Sequence, residues 1–415
     1  MRLHALQLSV TVAALTVAAG CAEIEPGKGT QAMQDTLAIH QAVMTIDSHD
    51  DIPFDFATEA VDPLDARRQV NLQKMRAGGL DAGFFIVFVG QTERTPENYA
   101  RAQFDAMTKF DAIHRMTSEL YPDLIELAYS PDDVERIHAE GKLVAAIGIE
   151  NGFVIGRDLA TLQRYHELGA RYVTLAHNGH NDIADSAQPR PDLGDPDSEH
   201  DGISEFGEQV IAEMNRLGIM VDISHVSKAA ALDAIRLSRA PVIASHSNAL
   251  AMTNHPRNMD DETLLALRDN GGVMQATALS VFVKEFTPDL LEATFDLLAE
   301  YGLGDFRGWY TLTDEQQAEA TARLQNIGYA DVGDFIDHVD YAVNLIGIDH
   351  VGLSSDFDGG GGVLGWWDAS ETANVTLELV RRGYSTQDIE KLWGGNLLRV
   401  WRQVEQFAAN TQAGP

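Results

Sequence analysis

Seven residues of the types that bind metal ions follow short apolar runs in this sequence. His49 and Asp51 come first, at the end of a run that Pro53 stops. Residues two apart on a strand share one face, so this imidazole and this carboxylate would stand side by side, as zinc ligands do. The other five residues are Glu150, His177, His225, His246 and Asp356. Because buried polar groups cost several kcal/mol unless they are paired or bound, we predict a metal centre.

The number of ligands predicts two metal ions. Three protein ligands and a water molecule suffice for one catalytic zinc ion, and a carboxylate such as Glu150 can bridge two. Five metal ligands are expected here, namely His49, Asp51, Glu150, His225 and His246. Two ions about 3.5–4 Å apart can polarise a carbonyl oxygen and hold a bridging hydroxide for attack. That chemistry is the hydrolysis of an amide or an ester.

Eight apolar runs rich in Val and Ile position these residues, and amphipathic stretches separate the runs. Such runs are typical of parallel strands that are buried on both faces. Eight strands alternating with helices predict an α/β protein with a (β/α)8 TIM barrel, whose active site lies at the carboxyl ends of the strands. The expected strands are Met44–His49, Ala82–Val89, Leu143–Glu150, Tyr172–His177, Ile219–His225, Val242–His246, Gly272–Ala278 and Val351–Asp356.

Two long stretches interrupt the alternation, Gly90–Glu140 after the second strand and Ser280–Asp337 after the seventh. Both contain predicted helices, among them Tyr99–Tyr121 and Asp314–Gln325. Long insertions after barrel strands lie on the catalytic face and shape or cover the pocket. We therefore interpret both stretches as helical insertions in a single domain. A further helix is predicted over Ser204–Leu217, with Ser204 as its N-cap.

The charge of the chain limits its partners. The formal net charge is −33, from 63 acidic and 30 basic residues. Phosphate binding needs clustered Lys and Arg, so the composition predicts no nucleic-acid partner. An anionic ligand would need a local basic residue to receive it. The single cysteine, Cys21, excludes an intramolecular disulfide and a cysteine-based zinc site.

The amino-terminal segment has the pattern of an export signal. Arg2 precedes an uncharged run from Ala5 to Gly20, and small residues come directly before Cys21. The run is short for a membrane span and typical of a secretory signal. Small residues before a lone cysteine resemble the lipobox of bacterial lipoproteins, which predicts lipidation of Cys21. The alternative is ordinary signal cleavage nearby.

These patterns predict three segments: a lipoprotein-type signal at 1–20 with Cys21 as the mature N-terminus, a tether over 22–34, and one catalytic domain over 35–410. Polar and Gly/Pro-bearing residues are typical of a tether. The mature protein is expected in the periplasm, anchored to the outer membrane. Its only expected contact with the membrane is the lipid anchor.

The motifs around the seven residues resemble those of the membrane (renal) dipeptidase family of zinc metallopeptidases. The resemblance runs in order from about residue 43 to 401 and indicates a bacterial exported member. It rests on the segments Asp47–Pro53, Gly218–Ser227, Pro241–Asn248, Arg257–Asp261, Asp349–Gly359 and Gly394–Arg399. It implies a barrel of the metal-dependent hydrolase type and hydrolysis of dipeptides, including those with a C-terminal D-residue. Relatives often form homodimers.

The family's site roles fall on matching positions of this chain. The resemblance implies one zinc ion on His49 and Asp51, a second on His225 and His246, and Glu150 bridging both. It further implies that His177 binds substrate and stabilises the tetrahedral oxyanion. Arg257 would receive the terminal carboxylate of the dipeptide. Asp356 would carry protons to and from the bridging water and the leaving amine.

Several alternatives stay open at this point. Asp358 shares the expected strand face of Asp356 and is the alternative proton carrier. A related binuclear-metal amidohydrolase could act on a non-peptide amide or a lactone. A zinc-dependent binding lipoprotein would need the ligands but not Arg257 and Asp356. Asp50 stands where the family usually has Asn, and alternation predicts that it points away from the metal and makes a loop hydrogen bond. The insertion Ser280–Asp337 matches the family poorly, so substrate preference is the property least transferable.

Overall fold

Nine parallel strands form the single sheet of the computed structural model, which describes residues 28–412. They are β1 (Ile46–Asp51), β2 (Ala82–Phe88), β3 (Ile125–Leu127), β4 (Leu143–Glu150), β5 (Ala170–Thr174), β6 (Met220–Asp222), β7 (Ile243–Ser247), β8 (Val273–Thr277) and β9 (Val351–Ser354). Eight are joined in the order β1-β2-β4-β5-β6-β7-β8-β9, and β3 pairs with β4 outside this path. The Asp51 amide donates to the Phe357 carbonyl at 2.9 Å and brings the two ends of the path together. The predicted (β/α)8 barrel is confirmed.

Helices follow the strands and surround the barrel. They are α1 (Lys28–Ala42), α2 (Leu72–Gly78), α3 (Pro96–Arg115), α4 (Pro131–Ala139), α5 (Ala160–Glu167), α6 (Glu205–Leu217), α7 (Lys228–Leu237), α8 (Asp261–Asn270), α9 (Ser280–Val283), α10 (Pro288–Glu300), α11 (Asp314–Asn326), α12 (Val332–Ile346), α13 (Thr372–Arg381), α14 (Thr386–Glu390) and α15 (Asn396–Gln412). Among the described residues, no helix combines the length and the apolarity needed to cross a membrane.

The helix α6 shows how local sequence sets these boundaries. The side chain of Ser204 accepts a hydrogen bond from the Gly207 amide, which caps the first turn as predicted. Val210 and Met214 are buried on the face toward the barrel. Gly218 ends the helix with φ 84°, a left-handed conformation that glycine adopts without steric cost.

The amino-terminal end of the barrel is apolar and closed. Leu397 and Trp401 of α15 pack in one buried cluster with Ile46 and Val273, which stand near the starts of their strands. The ring of Phe84 packs against that of Trp401, with centroids 5.7 Å apart and the ring planes tilted by 58°. The polar residues therefore collect at the opposite, carboxyl ends of the strands.

Three predicted strands end two or three residues earlier than expected. Strand β5 ends at Thr174, β6 at Asp222 and β9 at Ser354. His177, His225 and Asp356 consequently lie in the loops that follow, two or three residues beyond each strand. His225 and Asp356 adopt φ of 67° and 58°. A residue in this left-handed region cannot continue a strand, so β6 and β9 end before His225 and Asp356.

The described residues begin inside the predicted tether 22–34. Helix α1 begins at Lys28, so residues 28–34 are helical. The helix is fixed to the domain because His40 is buried and its ring nitrogens lie 2.8 Å from the Thr376 hydroxyl and the Gly78 carbonyl. The predicted signal at 1–20 and Cys21 lie outside the described residues and stay predictions.

Candidate metal centre and substrate pocket

Glu150 is the carboxylate on which the predicted ligands converge. One of its oxygens, Oε1, lies 2.9 Å from His225 Nε2 and 3.3 Å from His246 Nε2. The other oxygen, Oε2, lies 3.7 Å from His49 Nε2. Its two oxygens thus face different histidines, which is the arrangement that a carboxylate bridging two ions requires.

His49 faces two further carboxylates. Its Nε2 is 3.6 Å from Asp51 Oδ2 and 3.9 Å from Asp356 Oδ1. The described residues form three groups of donors whose ligand atoms lie within 4.8 Å of one another. These groups are His49–Glu150–His246, Glu150–His177–His225 and His49–Asp51–Asp356. The structure therefore brings together all five predicted ligands, with His177 and Asp356 beside them.

Hydrogen bonds fix the direction in which two of the rings point. His49 Nδ1 is 3.0 Å from the Tyr172 hydroxyl, which donates to the Ser48 carbonyl at 2.9 Å. His246 Nδ1 is 2.8 Å from the Ser245 hydroxyl, which donates to Asp222 at 2.6 Å. Each hydroxyl can only accept from Nδ1–H, so each Nε2 keeps its lone pair for a metal ion.

Neither Tyr172 nor Asp222 was predicted. The signal that could have found them is a polar residue inside an apolar strand, because such a group needs a buried partner.

Two observations test whether a metal ion fits here. His49 Nε2 is buried without a hydrogen-bond partner in the described part of the chain. The Nε2 atoms of His225 and His246 lie only 2.8 Å apart. Two ring nitrogens point at one position, and a third ring nitrogen beside them has no hydrogen-bond partner. This arrangement matches a cation site better than a hydrogen-bond network. The donor set of imidazoles and carboxylates fits zinc.

The pKa shifts within the cluster also indicate that its carboxylates need a positively charged partner. Burial lowers the pKa of His49, but the carboxylates of Glu150 and Asp51 outweigh it and hold that pKa well above its usual range. Burial would raise the pKa of Glu150, yet the rings of His177 and His49 hold it well below. Burial keeps the pKa of His225 and His246 well below the ordinary value, which favours the neutral, ligating form.

Arg257 is a buried cation beside this cluster. Its guanidinium donates to the His246 carbonyl at 2.9 Å and lies over the Phe282 ring, 5.3 Å from the centroid. No carboxylate among residues 28–412 lies within ion-pair distance of it. Burial lowers its pKa to about 10, which still leaves it charged at neutral pH. It lines a cavity of about 610 Å³ together with Glu150, so a carboxylate entering this cavity would find its partner there.

His177 lies at the exposed side of the cluster. Its Nε2 is 3.7 Å from Glu150 Oε1, and its side chain is 21% exposed. Its ring packs between Phe88 and His225, with centroids 4.6 Å and 4.1 Å away. Burial lowers its pKa. The ring is therefore positioned where a substrate in the cavity would first meet the cluster.

The structure favours Asp356 over Asp358 as the proton carrier. Both oxygens of Asp358 are engaged, by the amides of Gln69 and Val70 at 3.2 and 3.1 Å and by Arg68 at 3.1 Å. Both carboxylates line the cavity, but it is Asp356 that lies beside the cluster, with Oδ1 3.9 Å from His49 Nε2. Burial, with the nearby carboxylates, raises the pKa of Asp356 well above its usual range.

Asp50 departs from its prediction. It belongs to none of the three donor groups, but the expected loop hydrogen bond is wrong. Both of its oxygens are buried and have no hydrogen-bond partner in the part of the chain that is described. Its carboxylate packs tightly against Gly83 of β2, where a larger residue would collide with it. Burial, with the charge of Asp47, raises the pKa of Asp50 well above its usual range.

A parallel barrel with a His, Asp and Glu cluster at its strand ends defines the class of metal-dependent hydrolases. The family model described as membrane dipeptidase (Peptidase family M19) matches residues 33–414, and the chain belongs to this family. The resemblance found in the sequence is thereby confirmed. Dipeptidase tcpJ from Claviceps purpurea (strain 20.1) is 35% identical over 351 residues, which are 83% of this chain and 72% of that protein.

Solved structures give the same result. The probable dipeptidase PvdM from Pseudomonas aeruginosa superposes with a TM-score of 0.80 and 32% identity, over 91% of this chain and 100% of that chain. A metallopeptidase from Rhodobacter sphaeroides, solved with a phosphinate mimic of the dipeptide L-Ala-D-Ala, has the same fold. Its TM-score is 0.67 at 22% identity, over 87% of this chain and 99% of that chain.

Proposed function

We propose that this metal-dependent dipeptidase holds two zinc ions per chain. The five ligands would be His49, Asp51, Glu150, His225 and His246. The observation that carries the proposal is the position of Glu150, whose two oxygens face different histidines at 2.9 Å and 3.7 Å. When bound, the zinc ions supply Lewis-acid polarisation of the substrate carbonyl and a water molecule of lowered pKa.

The residues of the chain bind and orient the substrate around that centre. Arg257 binds the terminal carboxylate of the dipeptide, with the donor geometry that a guanidinium offers to a carboxylate. The peptide carbonyl then lies at the metal cluster, where His177 donates a hydrogen bond to the oxygen as negative charge develops. Because the distance from Arg257 to the cluster is fixed, the bond that reaches the cluster is the one that precedes the C-terminal residue. In a dipeptide this is the only peptide bond, and the membrane dipeptidase family to which the chain belongs supports dipeptides as the substrates.

Asp356 moves the proton in this proposal. Its carboxylate accepts a proton from the attacking water and delivers it to the nitrogen of the leaving amino acid. One bond forms between the water oxygen and the carbonyl carbon, one bond breaks between that carbon and the nitrogen, and the amine gains the proton that the water lost. The Oδ1 atom of Asp356 lies 3.9 Å from His49 Nε2, at the edge of the cluster where the attacking water would be held.

Arg257 contacts only the carboxylate of the second residue, which an L- and a D-residue both carry. We infer that dipeptides with a C-terminal D-residue are among the substrates. The L-Ala-D-Ala pair represented in the Rhodobacter sphaeroides structure is the corresponding probe.

Zinc dependence is tested on protein stripped with a chelator and then reloaded. Stripped protein should lose hydrolysis of L-Ala-L-Ala and L-Ala-D-Ala, and two equivalents of zinc per chain should restore it. Full turnover by the stripped protein would contradict the metal proposal. Turnover of a lactone or a non-peptide amide with neither dipeptide cleaved would favour the alternative amidohydrolase activity.

Export through the signal, lipidation of Cys21 and attachment to the outer membrane are also our proposals. They rest on the uncharged run before Cys21 and on the small residues next to it. Assembly as a homodimer is likewise a proposal, supported by the family membership alone.

A further inference from the structure

The cavity contains a second buried cation, Lys109, which the proposed reaction does not use. Lys109 lies on α3, inside the first insertion, and is only 4% exposed although it lines the same cavity as Glu150 and Arg257. Its Nζ lies 5.1 Å from the centroid of the Phe54 ring and 5.6 Å from that of Phe88. Within residues 28–412, this ammonium group has neither a hydrogen-bond acceptor nor an acidic partner within 4 Å.

A buried ammonium group without an anionic partner is expensive. Leaving water costs more free energy than contact with aromatic rings returns. Burial accordingly lowers the pKa of Lys109, while the nearby carboxylates of Asp51 and Glu150 oppose that shift. An anionic group that entered the cavity would supply the missing partner, as for Arg257.

Lys109 and Arg257 have different neighbours in the cavity wall. Lys109 lies over the rings of Phe54 and Phe88, whereas Arg257 lies over the ring of Phe282 and donates to the His246 carbonyl. Phe88 connects Lys109 to the carbonyl-binding side, because the same ring packs against His177 with centroids 4.6 Å apart. Lys109 and Arg257 therefore occupy different parts of the cavity wall, and Lys109 lies on the part that carries Phe88 and His177.

This placement assigns Lys109 to one part of a bound dipeptide. A substrate held by its carboxylate on Arg257, with its carbonyl at the cluster, extends its amino-terminal residue past Glu150. The side chain of that residue is the group directed toward Lys109. Arg307 lines the same cavity with a side chain that is 93% exposed, which adds a second positive charge at the rim.

We propose that Lys109 binds an anionic side chain on the amino-terminal residue of the substrate, so that dipeptides beginning with Asp or Glu are preferred. This inference rests on the proposed dipeptidase function. Lys109 then acts as a specificity residue that contacts the substrate and takes no part in the proton transfer.

The test measures kcat/KM for L-Glu-L-Ala, L-Ala-L-Ala and L-Lys-L-Ala. The wild-type protein should prefer the glutamyl dipeptide, and the lysyl dipeptide should be the poorest substrate. Lys109→Met should lower the ratio of glutamyl to alanyl turnover by about tenfold to hundredfold, mainly through KM, which is the range of a lost charge-assisted hydrogen bond. Lys109→Arg should restore most of the ratio.

Arg101→Met is the matched control. Arg101 lies on the same helix and its substitution removes the same charge, but its side chain is 73% exposed and pairs with Asp105. This variant should leave the ratio unchanged, which separates a contact with substrate from a change in net charge.

The outcomes distinguish the two proposals. If wild-type protein loaded with zinc cleaves none of the three dipeptides, the dipeptidase function itself fails. If it cleaves them but shows no preference for the glutamyl dipeptide, the inference about Lys109 is overturned without any variant. An equal loss on all three dipeptides in Lys109→Met would also overturn it, since that is the signature of a purely structural role.

Discussion

The hydroxyl of Tyr172 lies 3.0 Å from Nδ1 of His49 and fixes the orientation of that ring. The two residues are 123 positions apart in the sequence. The same hydroxyl donates to the Ser48 carbonyl, so the ring nitrogen that faces the metal cluster is Nε2 with its lone pair free. The orientation of one ligand is therefore set by a residue on a strand three positions away around the barrel. Contacts of this kind tune metal affinity without touching the metal.

Removing that hydroxyl should weaken zinc binding. We expect Tyr172→Phe to lower zinc affinity by about tenfold to hundredfold, because His49 loses the partner of Nδ1–H and with it a fixed tautomer. Competition with a chromogenic chelator measures the affinity. Tyr165→Phe is the control, since Tyr165 is equally buried and donates to the Val154 carbonyl at 3.0 Å. Equal zinc affinity in both variants would contradict the proposed role.

Arg257→Met should raise KM for free dipeptides by about tenfold to hundredfold, because the terminal carboxylate loses a charge-assisted pair of hydrogen bonds. Dipeptides amidated at the C-terminus carry no such charge and should change little. The comparison of the two substrate sets within one variant removes differences in folding or metal content. Equal effects on both sets would show that Arg257 does not recognise the carboxylate.

Buried His338 should make the fold sensitive to acid. Its Nδ1 accepts from the Ala249 amide at 3.3 Å, and burial lowers its pKa to about 4. The unfolded chain has the ordinary pKa of about 6.5, so it binds the proton more tightly than the folded chain. The stability from neutral His338 is thus complete above about pH 6.5 and is lost as the pH falls toward 4, by about 2 kcal/mol at pH 5.

Chemical denaturation at pH 7 and pH 5 measures this loss. His338→Gln should lose less stability than the wild-type protein over that interval, since glutamine does not titrate. The metal-free protein is used for both, so that release of zinc in acid does not contribute. An identical loss in the two proteins would assign the acid sensitivity to other groups.

Lipidation of Cys21 is tested by labelling. Radiolabelled palmitate should appear on the wild-type chain expressed in a bacterial host and be absent from Cys21→Ser. On cell fractionation, the wild-type chain should appear with the membrane, whereas the unlabelled variant should appear in the soluble periplasmic fraction. Absence of label on both chains would leave ordinary signal cleavage as the explanation of the amino-terminal pattern.

The barrel and its ligand ring could be predicted from the sequence because both follow from one-dimensional patterns. Buried parallel strands leave continuous apolar runs such as Leu143–Glu150, whose predicted and observed bounds agree. A histidine at the end of such a run is conspicuous. The direction of the active-site face then follows from the fold class alone.

The remaining features depend on contacts that no local pattern records. His225 and Asp356 lie in loops with left-handed backbone, a conformation that the packing of the loop imposes on non-glycine residues. Lys109 is one lysine on an amphipathic helix, which ordinarily indicates a solvent-facing position. The side chain of Lys109 reaches the cavity because of the way in which the first insertion folds. The burial of Asp50 is likewise not indicated by the sequence of its own segment.

The apolar closure of the barrel by α15 has a kinetic consequence. Leu397 and Trp401 fill the amino-terminal end, so within residues 28–412 the barrel is closed at that end. Both amino acids released by hydrolysis must therefore leave at the carboxyl ends of the strands, where the next dipeptide arrives. Each product keeps a group that the pocket holds, a carboxylate for Arg257 or an acidic side chain for Lys109. Free amino acids should therefore compete with substrate, and turnover should slow as they accumulate.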